Sequence, residues 1–127
     1  MSNSRSGRKP AIQITQSDYD KLSLLAENAS NAVVAEELAT ELDRAKIVPE
    51  EKLRAKTIRM GSKLSYSAEG ESRAVTLVYP GEADIAEGRI SILTPIGVAL
   101  IGLSEGQSID WQARDGRNHR LTVESVG

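Results

Sequence analysis

A chain of 127 residues and 13.7 kDa has the length of one compact domain, or of a domain with a small appendage. It contains no cysteine and one histidine, which excludes disulfides, thiol nucleophiles, zinc ribbons and histidine-rich metal sites. Aromatic residues make up 3% with no Phe, and the formal charge is −2, so neither a base-stacking platform nor a strongly basic face is available and sequence-specific nucleic-acid binding is not expected.

Residues 1–11 read as a disordered leader. Arg5, Arg8 and Lys9 stand among Ser, Asn and Gly, and the apolar stretch of a secretory signal does not follow. No apolar run approaches the roughly 20 residues of a membrane helix, so no membrane partner is expected and the cytoplasm is the expected location. Residues 12–48 are expected to form a helical-hairpin arm. Ser17 can cap a first helix with Asp18 and Asp20 in its opening turn, where carboxylates favour the helix dipole. Tyr19, Leu22 and Ala26 share a face, with Leu25 beside it. The small polar cluster Asn28 to Asn31 reads as the turn, and Ser30 or Asn31 can cap a second helix. In that helix Val34, Leu38, Leu42 and Ala45 form the apolar stripe, with Glu37, Glu41 and Arg44 off it. Such short helices are unstable alone and must zip together or dock.

Pro49 opens residues 49–127, where short β-rich runs alternate with Gly-containing turns. Strands are expected at Thr57 to Met60, Lys63 to Ser67, Arg73 to Tyr79, Arg89 to Leu93, Ser108 to Ala113 and His119 to Val126. Glu69-Gly70-Glu71 and Arg114-Asp115-Gly116 read as turns, and Pro80-Gly81 stops the strongest strand. Thr94 caps a short apolar helix with Pro95 at its first position, where a missing N–H costs nothing, and Gly102 ends it. About five antiparallel strands with one covering helix make an α+β fold.

The stretch Leu77-Val78-Tyr79-Pro80, Glu82-Ala83-Asp84 and Gly88-Arg89-Ile90-Ser91-Ile92-Leu93-Thr94-Pro95-Ile96-Gly97 through Leu103, with Gly106, resembles the C-terminal domain of the bacterial Gre transcript-cleavage factors. The stretches Glu41 to Ala45 and Thr57 to Ser62, with Tyr79-Pro80, resemble the Rnk-type regulators of nucleoside diphosphate kinase within that superfamily. The resemblance covers residues 12–126. It implies an FK506-binding-protein-like globular domain and a protein that binds RNA polymerase. Gre factors dock that domain at the rim of the polymerase secondary channel and push a long arm toward the catalytic centre, where acidic tip residues hold a second Mg²⁺. Members with a short arm are expected to occupy the channel entrance, competing with Gre-type factors without cleaving RNA.

The residues agree with that departure. Two-metal hydrolysis needs carboxylates delivered together to the reacting phosphate. The tip offers Glu27, Asn28, Ala29, Ser30 and Asn31, with no closely spaced acidic pair, while Glu36 and Glu37 lie more than a turn into the second helix and read as solvated. No metal and no cofactor is expected, and the chain is not expected to be an enzyme. On the globular domain, Glu82, Asp84, Thr94, Pro95 and Ile96 are the candidate polymerase contacts. The two carboxylates can pair with basic partner residues, and Pro95 with Ile96 offers an apolar contact. The alternative for Asp84 is acceptance of N–H bonds within its own loop, and for Pro95 a purely helix-starting role. Trp111 reads as a sheet residue with its N–H at the margin, and His119 as a surface residue. Arg114, Arg117, Arg120 and His119 make a local basic patch. There is no Gly-rich phosphate loop with a Lys, so phosphotransfer is not expected. The rivals are a prolyl isomerase or chaperone on the same fold, opposed by the scarcity of aromatics, a Gre-like factor that does stimulate cleavage, and an interaction module for another partner. A monomer is favoured.

Overall fold

The computed structural model describes residues 10–112 and 115–127, so the expected leader up to Lys9, and Ala113 and Arg114 of the last hairpin, lie outside the described residues. The chain begins with a strand absent from the sequence expectation, β1 (Gln13–Thr15), and passes into α1 (Gln16–Asn28). The cap of α1 is Thr15 rather than Ser17. Its hydroxyl accepts from the Asp18 amide at 3.2 Å. Thr15, in the β region of backbone conformation, is 1% exposed, so the capping hydroxyl is itself buried. The second helix, α2 (Ala32–Arg44), is capped by Asn31, whose Oδ1 accepts from the amides of Val33 and Val34 at 3.1 and 3.2 Å. Each helix has 13 residues, about 20 Å at 1.5 Å per residue. Beyond α2, β2 (Lys46–Val48) pairs in parallel with β1, Ile14 opposite Ile47, and this two-stranded ladder ties both ends of the hairpin together.

The main sheet has the order β5-β4-β3-β7-β6 and contains β3 (Lys63–Ala68), β4 (Glu71–Val78), β5 (Arg89–Ser91), β6 (Ser108–Gln112) and β7 (Asn118–Val126). Four strands run as expected of an antiparallel sheet. The expectation for β5 is corrected: it pairs in parallel with β4, Leu77 opposite Ile90. The two-residue turn Glu69-Gly70 joins β3 to β4, with φ of 54° and 81°, which starts β4 at Glu71 rather than Arg73. The strand expected at Thr57 to Met60 is reduced to a bridge between Thr57 and Ser104, because Gly61, at φ 87°, turns the chain immediately afterwards. In β7 a bulge doubles up opposite Ser65/Tyr66, so Val123 and Val126, three apart, both reach the core while Glu124 stays exposed.

The sheet's inner face is covered by α3 (Pro95–Leu100). Leu64, Leu77, Ile92, Leu100, Leu121 and Val123 are buried there, and the same cluster continues without interruption through Leu22, Leu38 and Leu42 of the hairpin. Burying each such leucine stabilises the fold by roughly 1.5–3 kcal/mol. The hairpin is therefore docked through its apolar stripes. A polar latch assists at its base. Asp18, buried in the first turn of α1, accepts from the Met60 amide at 3.3 Å and lies 3.9 Å from Arg59 Nε, and Arg59 also pairs with Glu50. The bond to Glu50 holds the Arg59 guanidinium above its ordinary pKa, and the same bond holds the Glu50 carboxyl below its own. Among the described residues no helix is long and apolar enough to cross a membrane.

One glycine decides how closely α3 approaches β5. A Cβ on Gly97 would overlap the Ser91 carbonyl oxygen and come within 2.9 Å of Ile92 Cα. Both obstacles are backbone and cannot rotate away. Gly97→Ala is expected to cost about 2–3 kcal/mol in urea unfolding, the usual penalty of overpacking. A change under 0.5 kcal/mol, about the scatter of a surface substitution, would mean that α3 is free to shift.

Candidate partner-docking surface

The crossover from β4 to β5 must bring the chain back to the start of a parallel neighbour, and it does so in two short 3₁₀ turns, Pro80–Glu82 and Ile85–Glu87. Every residue from Pro80 to Glu87 is exposed, and Ile85 stands out at 87%. The backbone alone holds this loop. Asp84 and Arg89 exchange N–H···O bonds at 2.9 Å in both directions, and Gly88, at φ 74°, donates to Ile85 at 3.0 Å. The carboxylates of Glu82 and Asp84 make no hydrogen bond or ion pair among the described residues, so the internal N–H bonds considered for Asp84 from sequence go to its backbone carbonyl instead.

Because β4 and β5 are parallel, Pro80–Glu82 and Thr94–Ile96 follow the same ends of adjacent strands. The structure thus brings Glu82 to the side of the Thr94-Pro95 turn, while Asp84 and Ile85 lie at the opposite end of β5. Thr94 is fully committed to structure. Its Oγ1 accepts from the Gly97 amide at 3.1 Å and donates to the Ser91 carbonyl at 2.7 Å. Pro95 and Ile96 are half-buried, and Ile96 packs against the core. At the hairpin tip, Asn31 caps α2, and Asn28 Nδ2 donates to the Leu24 carbonyl at 2.9 Å. Glu27 and Ser30 are exposed. Glu27 is the one carboxylate at the turn, and Glu36 and Glu37 stand further along α2.

Several features were not legible in the sequence. Glu41, off the apolar stripe, is 2% exposed and paired with Arg44 at 2.8 Å. His119 is half-buried rather than at the surface. It pairs with Glu69 and stacks at a tilt on Trp111, ring centroids 5.2 Å apart. Arg120 is neutralised by Asp110 at 2.9 Å, and Arg114 is outside the described residues, which leaves Arg117 of the expected basic patch. The Trp111 N–H is buried and has no hydrogen-bond partner among the described residues.

Tyr79, at the end of β4, lines an open groove with Lys21, Leu24 and Leu25 of α1. Its hydroxyl is buried without a partner among the described residues, and burial, then the nearby Asp18 and Glu82 charges, push its pKa above the ordinary tyrosine value. Burial raises Tyr66 likewise. A raised folded-state pKa contributes stability that is complete below the unfolded value near 10 and is lost as pH rises through the folded value. Tyr79→Phe is expected to stabilise by about 1 kcal/mol at neutral pH, by removing an unpaired buried hydroxyl. It should also lessen the alkaline loss above about pH 10. Chemical unfolding at neutral and alkaline pH measures both, and a destabilised variant would place a partner on that hydroxyl.

The family profile described as transcription elongation factor, GreA/GreB, C-term, matches residues 53–127, and the Rnk N-terminus profile matches residues 10–48. The chain belongs to the GreA/GreB family. This family member is 33% identical over 119 residues to the regulator of nucleoside diphosphate kinase of Escherichia coli K12, covering 91% of this chain and 88% of that relative. It is 36% identical over 94 residues to the transcription elongation factor GreA of Rhodospirillum rubrum, covering 72% of this chain and 60% of the other. The solved structure of the prokaryotic transcription elongation factor GreA/GreB from Nitrosomonas europaea superposes with a TM-score of 0.74 at 35% identity, covering 93% of this chain and 98% of that one. The expected fold, a hairpin followed by a mostly antiparallel sheet with one covering helix, is thus the fold of this family. The relatives bear the names of regulators and elongation factors, as expected for a Gre-like regulator of transcription.

Proposed function

We propose that this Gre-family protein binds RNA polymerase at the entrance of the secondary channel, excludes Gre-type cleavage factors by occupancy, and does not itself promote transcript cleavage. It acts in the cytoplasm, with no cofactor. One combination carries the reading: a Gre-type C-terminal region over residues 53–127 joined to a hairpin of two 13-residue helices whose turn offers Glu27 alone. A metal-dependent hydrolysis needs a carboxylate pair at the reacting phosphate. An arm about 20 Å long with one tip carboxylate supplies neither the pair nor the reach. The docking face on this reading is the exposed loop Pro80–Glu87 with the adjoining turn at Thr94–Ile96, where two uncommitted carboxylates meet basic residues of the polymerase and Pro95 gives an apolar contact.

A backtracked, stalled polymerase complex tests both halves. Added alone, the protein is expected to leave the transcript intact. Added with a cleavage-competent Gre factor, it should slow cleavage in proportion to its concentration. Robust cleavage by the protein alone would falsify the occupancy mechanism.

A further inference from the structure

The geometry assigns a second recognition site, a pocket for one basic side chain at the junction of hairpin and sheet. The argument begins with a cleft of about 150 Å³ between α2, α3 and β6. That is the size of a single long side chain rather than the roughly 300–1,000 Å³ of a small-molecule pocket. Pro95, Val98 and Ile109 supply an apolar wall. One polar group of the lining is unused: Glu37, half-buried on α2, is in no hydrogen bond or ion pair among the described residues. Among those residues its carboxylate has no cation.

A lysine or arginine within a peptide segment supplies it. Its aliphatic stem lies along Pro95, Val98 and Ile109 with its charge at the Glu37 carboxylate. The charge of the hairpin as a whole favours the same occupant, although of its acids only Glu37 and the Arg44-paired Glu41 line the cleft. Helices α1 and α2 carry Asp18, Asp20, Glu27, Glu36, Glu37, Glu41 and Asp43 against Lys21 and Arg44, a net of −5 in a chain whose total is −2. A basic segment of a partner protein fits; an acidic one does not. The site shares Pro95 with the proposed polymerase face, but it is argued from other residues and its test uses no polymerase.

Trp111 is the single tryptophan, so its emission and its indole N–H resonance report the cleft directly. The full chain is titrated with the blocked tripeptide acetyl-Ala-Arg-Ala-amide and with its Leu and Glu counterparts. The Arg peptide is expected to bind saturably and move the indole N–H resonance, the Leu peptide to bind more weakly, and the Glu peptide not to bind. Glu37→Gln should weaken the Arg peptide by about threefold to fivefold, the worth of a partly exposed ion pair, with an unchanged circular dichroism spectrum. No binding of the Arg peptide, equal binding of the Leu peptide, or an unaltered affinity in Glu37→Gln overturns the site. A variant lacking residues 2–9 completes the test. An affinity that rises by about tenfold or more, as removal of a tethered competitor produces, would place the chain's own Arg5, Arg8 or Lys9 in the cleft and overturn the assignment to a partner. An affinity within a few-fold of the full chain's supports it.

Discussion

Leu38→Ala is expected to destabilise the whole protein by about 3 kcal/mol, a large share of the roughly 5–15 kcal/mol available to a domain. Leu38 is 0% exposed and belongs to the cluster that also holds Leu100 and Leu121. Truncation removes the transfer free energy of three carbons and leaves a cavity that the paired helices cannot collapse around. The effect should not be confined to the hairpin. Leu22, Leu38 and Leu42 pack into the sheet's core, the parallel ladder of β1 and β2 closes the hairpin's base, and Asp18 bonds the Met60 amide. Helix loss followed by far-ultraviolet circular dichroism and sheet loss followed by Trp111 emission should therefore coincide along a urea titration, in the variant as in the parent. An arm that folds separately would lose its circular dichroism first while Trp111 stayed native. Leu24→Ala is the internal control: at 61% exposure, it should change stability by under about 0.5 kcal/mol.

The elements that were legible in the sequence are those whose signals are local. The stripe at Val34, Leu38 and Leu42 with Asn31 before it gives α2, Thr94-Pro95 gives the start of α3, and the Val- and Leu-rich run up to Val78 gives β4. What escaped depends on partners distant in the chain. Gln13–Thr15 and Lys46–Val48 are too short to show periodicity and become strands only by pairing with each other across the closed hairpin. The parallel setting of β5 follows from the ten-residue crossover, in which backbone bonds between Asp84 and Arg89 fold the loop back on itself. Glu41 sits off the apolar stripe by spacing, yet α3 packs beside α2 and the carboxylate is buried with Arg44 as its partner. Helical periodicity reports one face of a helix, and α2 has two covered faces, one toward α1 and one toward α3. The exposed carboxylates of the loop Pro80–Glu87 were legible for the opposite reason. Glu82 and Asp84 lie in a Pro-Gly-flanked segment with no apolar pattern, and such segments run over the surface.

Reversing those two charges is the change expected to act most strongly on partner binding. On the proposed docking, the variant Glu82→Arg, Asp84→Arg should lose affinity for RNA polymerase by about tenfold to a hundredfold, because each proposed pair would become a like-charge contact. The fold should be untouched. Neither carboxylate accepts a bond in the loop, whose shape rests on backbone contacts such as the two 2.9 Å bonds between Asp84 and Arg89. The salt dependence separates electrostatics from loop damage. Parental affinity should weaken as ionic strength rises, since exposed pairs are screened over a Debye length of about 10 Å at 0.1 M, whereas the variant's residual affinity should be flat or slightly improved. Thr94→Ala supplies the contrast. It removes a helix cap worth about 1 kcal/mol and leaves the surface charge unchanged, so it should lower stability more than binding. If the double reversal bound polymerase as tightly as the parent, the loop Pro80–Glu87 would lie outside the interface, and the apolar turn at Pro95 and Ile96 would have to carry the contact without it.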